Sequence, residues 1–190
     1  MKITLILRIL YYRIYFNSIG RIFPKSSAKI LLDLFSTPRS RVIRKMEIEI
    51  LNKAKVIDIK FDKSIVKLYQ WGEGDKYILL SHGWESNAGS LGAFVNPFLE
   101  KGFKVISFDS PAHGSSEGTK ANMLIFKELV HVIIEKFGLP EVTIGHSLGA
   151  NVLILLSYQN NIEFKKNILI MPFNQMNSIF KGFQNIVKFP

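Results

Sequence analysis

The feature that most constrains this chain is a change of rhythm near residue 56. Before it, apolar residues recur at helical intervals. Beyond it come short apolar runs with no alternation, at 77–80 (Tyr-Ile-Leu-Leu), 105–108 (Val-Ile-Ser-Phe), 142–144 (Val-Thr-Ile) and 168–170 (Ile-Leu-Ile). A strand with apolar residues on both faces has no face to give to water, so such runs belong in a parallel sheet covered on both sides. Helix-length segments separate them, at 91–101, 121–137 and 148–158, and the first two end at Gly102 and Gly138, where a left-handed cap is wanted. Strands alternating with helices predict right-handed βαβ units, hence an α/β fold with a mostly parallel sheet flanked by helices.

Boundaries at 55/56 and 176/177 divide the chain into three predicted parts. Residues 1–55 read as a basic helical extension. Pro24 interrupts it, Ser26 or Ser27 caps a second helix carrying Ile30, Leu31, Leu34 and Phe35, and a third helix runs over 41–54. Residues 56–176 form the body. It opens with a hairpin of two alternating strands, 56–61 and 65–69, around Asp62-Lys63-Ser64. Residues 177–190 place Ile179, Phe180, Phe183, Ile186 and Val187 at helical spacing, the start of a lid-like amphipathic helix whose apolar face needs a partner. Self-association through that face is one way to cover it.

The net charge of +10 suggests a polyanion until it is located. Residues 1–55 hold twelve Lys/Arg against three Asp/Glu, a net of +9, and the body holds almost none of the excess. The basic patch therefore belongs to the extension, where it would attract a membrane surface or a nucleic acid alike. No aromatic–basic interleaving marks a nucleic-acid module, so nucleic acid is not an expected partner. The apolar stretch 3–16 is interrupted by Arg8 and Arg13, too short and too charged for a transmembrane helix of about 20 residues. It lacks the unbroken apolar core and small-residue cleavage site of a signal peptide. Two readings stay open: a helix packed on the body with its arginines in water, or peripheral membrane contact through residues 1–55. With no cysteine in the chain, a reducing compartment fits. The expected location is cytoplasmic, with the inner membrane surface as the peripheral variant.

One pattern carries chemistry. Gly145-His146-Ser147-Leu148-Gly149 lies between the apolar run 142–144 and the helix-like 148–158. A serine hydroxyl is a weak nucleophile unless it is exposed and a neighbour takes its proton. G-x-S-x-G achieves the exposure by a sharp strand-to-helix turn, with glycines where side chains would collide. By composition alone the pattern arises by chance in roughly one chain in fifteen of this length, and the strand and helix around it cut that several-fold.

Two further motifs stand in a fixed order with it. Ser81-His82-Gly83-Trp84 directly follows the run 77–80, and Asp109-Ser110-Pro111-Ala112-His113-Gly114-Ser115-Ser116 follows 105–108. Together with Gly-His-Ser-Leu-Gly-Ala at 145–150, they make the chain resemble the α/β-hydrolase superfamily, its esterase-like members especially, over residues 56–172. The resemblance implies a serine hydrolase of ester or related acyl bonds, with a small acyl molecule as substrate. It implies Ser147 as nucleophile and the backbone N–H groups of Trp84 and Leu148 as an oxyanion hole, donors that act on charge present only in the transition state. His82, Gly83, Asp109, His113 and His146 would shape the site. No cofactor is implied, and no ligand cluster has the spacing of a metal site.

The pattern also breaks. In this fold the triad runs serine, acid, histidine along the chain. After Ser147 the sequence offers one acid, Glu163, and no histidine; His82, His113, His131 and His146 all precede the serine. His146 is expected to point away from the hydroxyl on the tight turn, and His113 would have to approach from its loop. The expectation is an α/β-hydrolase incomplete at its C-terminus and impaired in turnover. The alternative is a non-catalytic remnant that binds a membrane surface or partner through its basic helices.

Overall fold

The computed structural model describes residues 3–175 together with Lys181 and Asn185. The amphipathic segment expected at 177–190, with the self-association assigned to it, lies outside the described residues apart from those two. The described chain divides into two compact units. One is Ser36–Pro172; the other joins the residues before Ser36 to those after Pro172.

In the smaller unit, α1 (Ile3–Asn17) is followed by the short α2 (Ile19–Ile22) and by α3 (Pro24–Ser36). Pro24 is the first residue of α3, a position where its missing N–H is not needed. The sequence places the cap at Ser26 or Ser27, but Ser27 lies inside the helix, buried, and its Oγ donates to the Gly20 carbonyl (2.8 Å). Starting at the proline leaves that hydroxyl free to tie α3 back to α2.

The division at 35/36 falls earlier than the 55/56 boundary read from charge. Ile43, Ile50, Leu51 and Ala54 pack into the apolar core of the sheet, so this basic stretch belongs to the body by packing. The helix expected over 41–54 is shorter, α4 (Lys45–Leu51). Its start is fixed by Glu47, whose Oε2 accepts from the Arg44 amide (2.7 Å), and Arg41 is drawn away to the carbonyls of Ser116 and Gly118.

Six strands follow: β1 (Lys55–Phe61), β2 (Ser64–Trp71), β3 (Tyr77–Ser81), β4 (Lys104–Phe108), β5 (Val142–His146) and β6 (Asn167–Ile170). They form one sheet in the order β1-β2-β4-β3-β5-β6. The hairpin is as read, with Phe61 opposite Ser64 across a two-residue turn in which Asp62 takes φ +50°. β2 pairs antiparallel with β4, and β4-β3-β5-β6 are parallel.

Each run without alternation is buried on both faces as far as β5. Ile78, Leu80, Val105, Val142 and Ile144 join one core cluster, and their neighbours Leu79, Ile106, Phe108 and Thr143 are equally inaccessible. The run in β6, at the sheet edge, is more open, with Ile168 and Leu169 exposed. The helices between strands are a 3-10 segment Ala88–Phe94 running into α5 (Val95–Leu99), then α6 (Met123–Phe137) and α7 (Leu148–Gln159). The single helix expected over 91–101 is thus split. Glycines at 89 and 92 weaken it, and the Asn87 side chain instead accepts from the Gly89 amide to start a tighter turn. Gly102 and Gly138 take positive φ, +77° and +80°, at the ends of their helices, but at Gly138 ψ is −174°, outside the left-handed helical cap expected there.

Strand order decides where a site can form. The chain leaves β3 for β4 on one side, then crosses back to β5 on the other. Right-handed crossovers then put α5 on one face of the sheet and α6 on the other. The loops leaving the carboxyl ends of β3 and β5 diverge and open a crevice between them.

Candidate active site

Ser147 stands at that crevice. β5 ends at His146, α7 begins at Leu148, and Ser147 makes the turn in one residue with φ +51° and ψ −116°. A non-glycine residue at positive φ stores of order 1–3 kcal/mol of strain, and the surrounding structure must hold it there. The hold is visible. The Ser147 amide donates to the Ile170 carbonyl at the end of β6 (2.9 Å), and its carbonyl accepts the first helical bond, from Asn151 (3.1 Å).

The flanking glycines leave no choice of residue. A Cβ on Gly145 would sit 2.7 Å from the backbone of Ala150, and one on Gly149 would collide with the carbonyls of Ser81 and His82. α7 therefore runs against the end of β3 at a distance that a side chain forbids. The first amides of α7, from Leu148 on, precede the first intrahelical bond and sit at the positive end of the helix.

The loop after β3 lies against this turn. β3 and β5 pair with Ser81 opposite Gly145. A Cβ on Gly83 would come 3.2 Å from Nδ1 of His146 and 3.4 Å from Cβ of Ser147. The amide of Trp84 is one residue on. Trp84, Glu85, Asn87, His146 and Ser147 line a cavity of about 360 Å³, to which Val42, Arg44 and Glu47 also contribute. Ser147 and His146 are both half-buried. His146 also lines this cavity, and its ring packs over Gly83, the one residue of the facing loop without a side chain.

Two loops are braced by buried polar groups. Asp109, fully buried, accepts from the Ala88 amide (2.7 Å), the Ser115 amide (2.8 Å) and the Tyr69 hydroxyl (3.1 Å). Burial pushes its carboxyl above the usual range, while those donors pull it back. Burial, with the Asp109 charge beside it, likewise pushes the Tyr69 hydroxyl up to about 12. Asp109 thereby clamps the start of the 3-10 segment to the loop after β4.

His82 and His113 are locked in neutral forms. The Ser110 amide donates to Nε2 of His82 (3.2 Å), so the proton sits on Nδ1 and goes to the Gly83 carbonyl (2.7 Å). Nδ1 of His113 lies 2.9 Å from the Pro111 carbonyl, which accepts, and leaves Nε2 a bare, buried lone pair. Burial pulls both rings down to about 4. The two rings pack against each other and against Phe126, and His113 also meets Trp84 edge to face, at ring separations of 5.0–5.3 Å. His131 is on α6, 4.0 Å from Glu135 one turn on.

The structure brings together residues that the sequence reading did not single out. Glu85, at φ +54°, receives Arg39 through its main-chain amide (2.7 Å) and through Nε and Nη2 (2.9 Å each). That fork holds the Glu85 carboxyl below its ordinary range. Glu47 accepts from Asn87 (2.9 Å) as well as from Arg44. The signal for Glu47 was present, an acidic residue in the first turn of a helix, but its second partner lies forty residues away.

The comparisons with known proteins bear on the fold. The family model described as the alpha/beta hydrolase fold matches residues 76–188. A candidate esterase/lipase of Mycoplasma genitalium is 30% identical over 98 residues, covering 50% of this chain and 37% of that protein. A monoglyceride lipase homolog of Monkeypox virus is 31% identical over 103 residues, with 50% and 37% covered. The chain thus spans little more than a third of the length of these relatives. Among solved structures, an esterase of Pyrococcus furiosus superposes with a TM-score of 0.59 at 23% identity, covering 82% of this chain and 63% of that one.

Proposed function

Since this chain belongs to the α/β-hydrolase fold family, we propose that its site is that of a serine esterase or lipase, with Ser147 as the attacking group. The strained turn at Ser147, facing the 82–85 loop across a cavity of about 360 Å³, carries this reading. The relatives named as esterases and lipases support the reaction class.

In the proposed step, Oγ of Ser147 gives its proton to water and bonds to the acyl carbon of an ester; as the tetrahedral species collapses the ester C–O bond breaks and the alcohol leaves, taking up a proton from water. The carbonyl oxygen takes the negative charge, and the amides of Leu148 and Trp84 receive it. Donors held by a helix start and a braced loop need no rearrangement when that charge appears, and each is worth about 10²–10³ in rate. Asp109, His82 and His113 act as positioning residues. They fix the 82–88 and 109–116 loops so that the Trp84 amide keeps its direction.

Among the described residues no base is hydrogen-bonded to Oγ of Ser147. His82 and His113 are held by backbone groups and His131 is on α6, while His146 lines the cavity beside Ser147. Loss of the base in a serine hydrolase costs on the order of 10⁶ in turnover. For the described residues taken alone, the proposal is slow acylation with little turnover. The same observation favours a second reading, in which the cavity binds an acyl group without cleaving it.

A fluorophosphonate probe separates the two. Under the first reading the full chain is labelled slowly, at Ser147 by peptide mapping, and Ser147→Ala abolishes the label. A folded chain with no label above the Ser147→Ala background leaves only the binding reading.

A further inference from the structure

Outside the site, the largest unexplained feature is on α1. Ile6, Leu7, Leu10, Tyr11 and Ile14 are 46–62% exposed. At 100° per residue they fill one arc of about 140°. Arg8 borders that arc on one side and Arg13 on the other, while Ile9, Tyr12 and Phe16 take the inner face, the last fully buried. An apolar stripe turned outward and edged by arginines is the opposite of a helix packed by its apolar face.

The next turn repeats the arrangement. Ile22 is 72% and Phe23 56% exposed, and Arg21 and Lys25 stand on either side of them, also exposed. Before Glu47 the sequence has one acidic residue, Asp33. No helix among the described residues is long and apolar enough to cross a membrane.

We propose that residues 6–25 form a docking surface for an anionic lipid bilayer, with the outward arc of α1 and Ile22-Phe23 seated among the acyl chains and the exposed Arg8, Arg21 and Lys25 at the headgroups. The aliphatic stripe wants hydrocarbon and its cationic borders want phosphate, and a bilayer surface offers the two at adjacent depths. A nucleic acid satisfies the cations alone and leaves five apolar side chains in water. A second copy of the chain would bring the same cations together. The proposal stands independently of the reading of Ser147.

The test is co-sedimentation of the full chain with vesicles of equal parts phosphatidylglycerol and phosphatidylcholine, beside vesicles of phosphatidylcholine alone. Binding to the anionic vesicles is expected to be about tenfold stronger or more, and to fall at about 0.5 M salt, where the Debye length is only a few ångström. Leu10→Glu/Ile14→Glu is expected to reduce it to background. Arg21→Glu/Lys25→Glu should weaken it about tenfold or more, at about a factor of five per charge near the surface. Leu10→Asn/Ile14→Asn, a milder pair checked by circular dichroism, keeps the test valid if the glutamates disturb folding. Ser147→Ala should bind as the unaltered chain does. The proposal is overturned by binding that survives loss of the apolar arc, by equal binding to both vesicle types, by pelleting without vesicles, or by complete displacement with duplex DNA.

Discussion

The sheet body and the N-terminal helices are both rich in Ile, Leu and Phe, yet they treat those residues in opposite ways. In the body Leu68, Ile78, Leu79, Leu80, Phe108 and Phe126 are wholly inaccessible. In α1 and α2 Leu7, Ile14 and Ile22 are more than half exposed. Apolar content therefore does not decide burial; the availability of a matching surface does. Strands 77–81, 104–108 and 142–146 find one on both sides because crossovers bring helices to each face. The same difference governs polar groups. Asp109 and Glu47 are buried and receive two or more hydrogen bonds each, and Arg8 and Lys25 stay at the surface.

If this contrast is right, a buried polar group in the body matters most. Asp109→Ala strips the partner from two amides and the Tyr69 hydroxyl at once. The abandoned Ala88 amide and Tyr69 hydroxyl, both buried, cost about 1–3 kcal/mol each and the amide of the exposed Ser115 less, and part of the sum is returned because the carboxylate no longer has to be buried. The expected loss is about 3–5 kcal/mol, read as a shift of the urea midpoint at unchanged slope. Asp109→Asn keeps an acceptor for one side and should lose about half as much. A midpoint within error of the unaltered chain would mean that the loops after β3 and β4 are held by something else.

Acid should act next most strongly, again through the body. His82 and His113 have folded values of about 4 against an ordinary 6.5. The unfolded chain therefore binds more protons between those values, and stability rises with pH there. The contribution is complete above about pH 6.5 and is lost as pH falls toward 4. Asp109, with its carboxyl pushed up, works in the other sense and offsets part of the loss. A net of about 2–4 kcal/mol across that window lowers Tm by roughly 5–15 °C in a chain of this size. His113→Phe should flatten the dependence by close to half. A Tm that stays level from about pH 6.5 to about pH 5 would show that these rings are not held neutral by burial.

The sequence made the body legible because its signals are local. Runs without alternation marked β3 to β6, Asp62-Lys63 marked the hairpin, and Gly102 and Gly138 marked helix ends. Gly145 and Gly149 located the turn at Ser147, since only one residue type tolerates that approach of backbone to backbone. What was not legible depends on distance along the chain. Arg39 meets Glu85 across forty-six residues and Asn87 meets Glu47 across forty, and neither pair leaves a periodic trace. The division at 55/56 missed for the same reason. Charge composition joined 36–55 to the helices before it, while Leu51 and Ile50 follow the sheet core.

The smallest effect is the most discriminating. Leu7→Ser and Ile14→Ser, at 58% and 62% exposure, should leave stability within about 0.5 kcal/mol, the range of surface substitutions. By contrast Leu80→Ser, fully buried within the core cluster, should cost several kcal/mol. Each variant is measured as a urea midpoint in solution without lipid. Equal small shifts for Leu7 and Ile14 mean that their side chains are already in water in the free protein. The drive to cover them is then unspent by folding and available to a surface outside the chain. A loss above about 2 kcal/mol at either position would mean that α1 packs its outward arc on protein, and the contrast between the two regions would collapse.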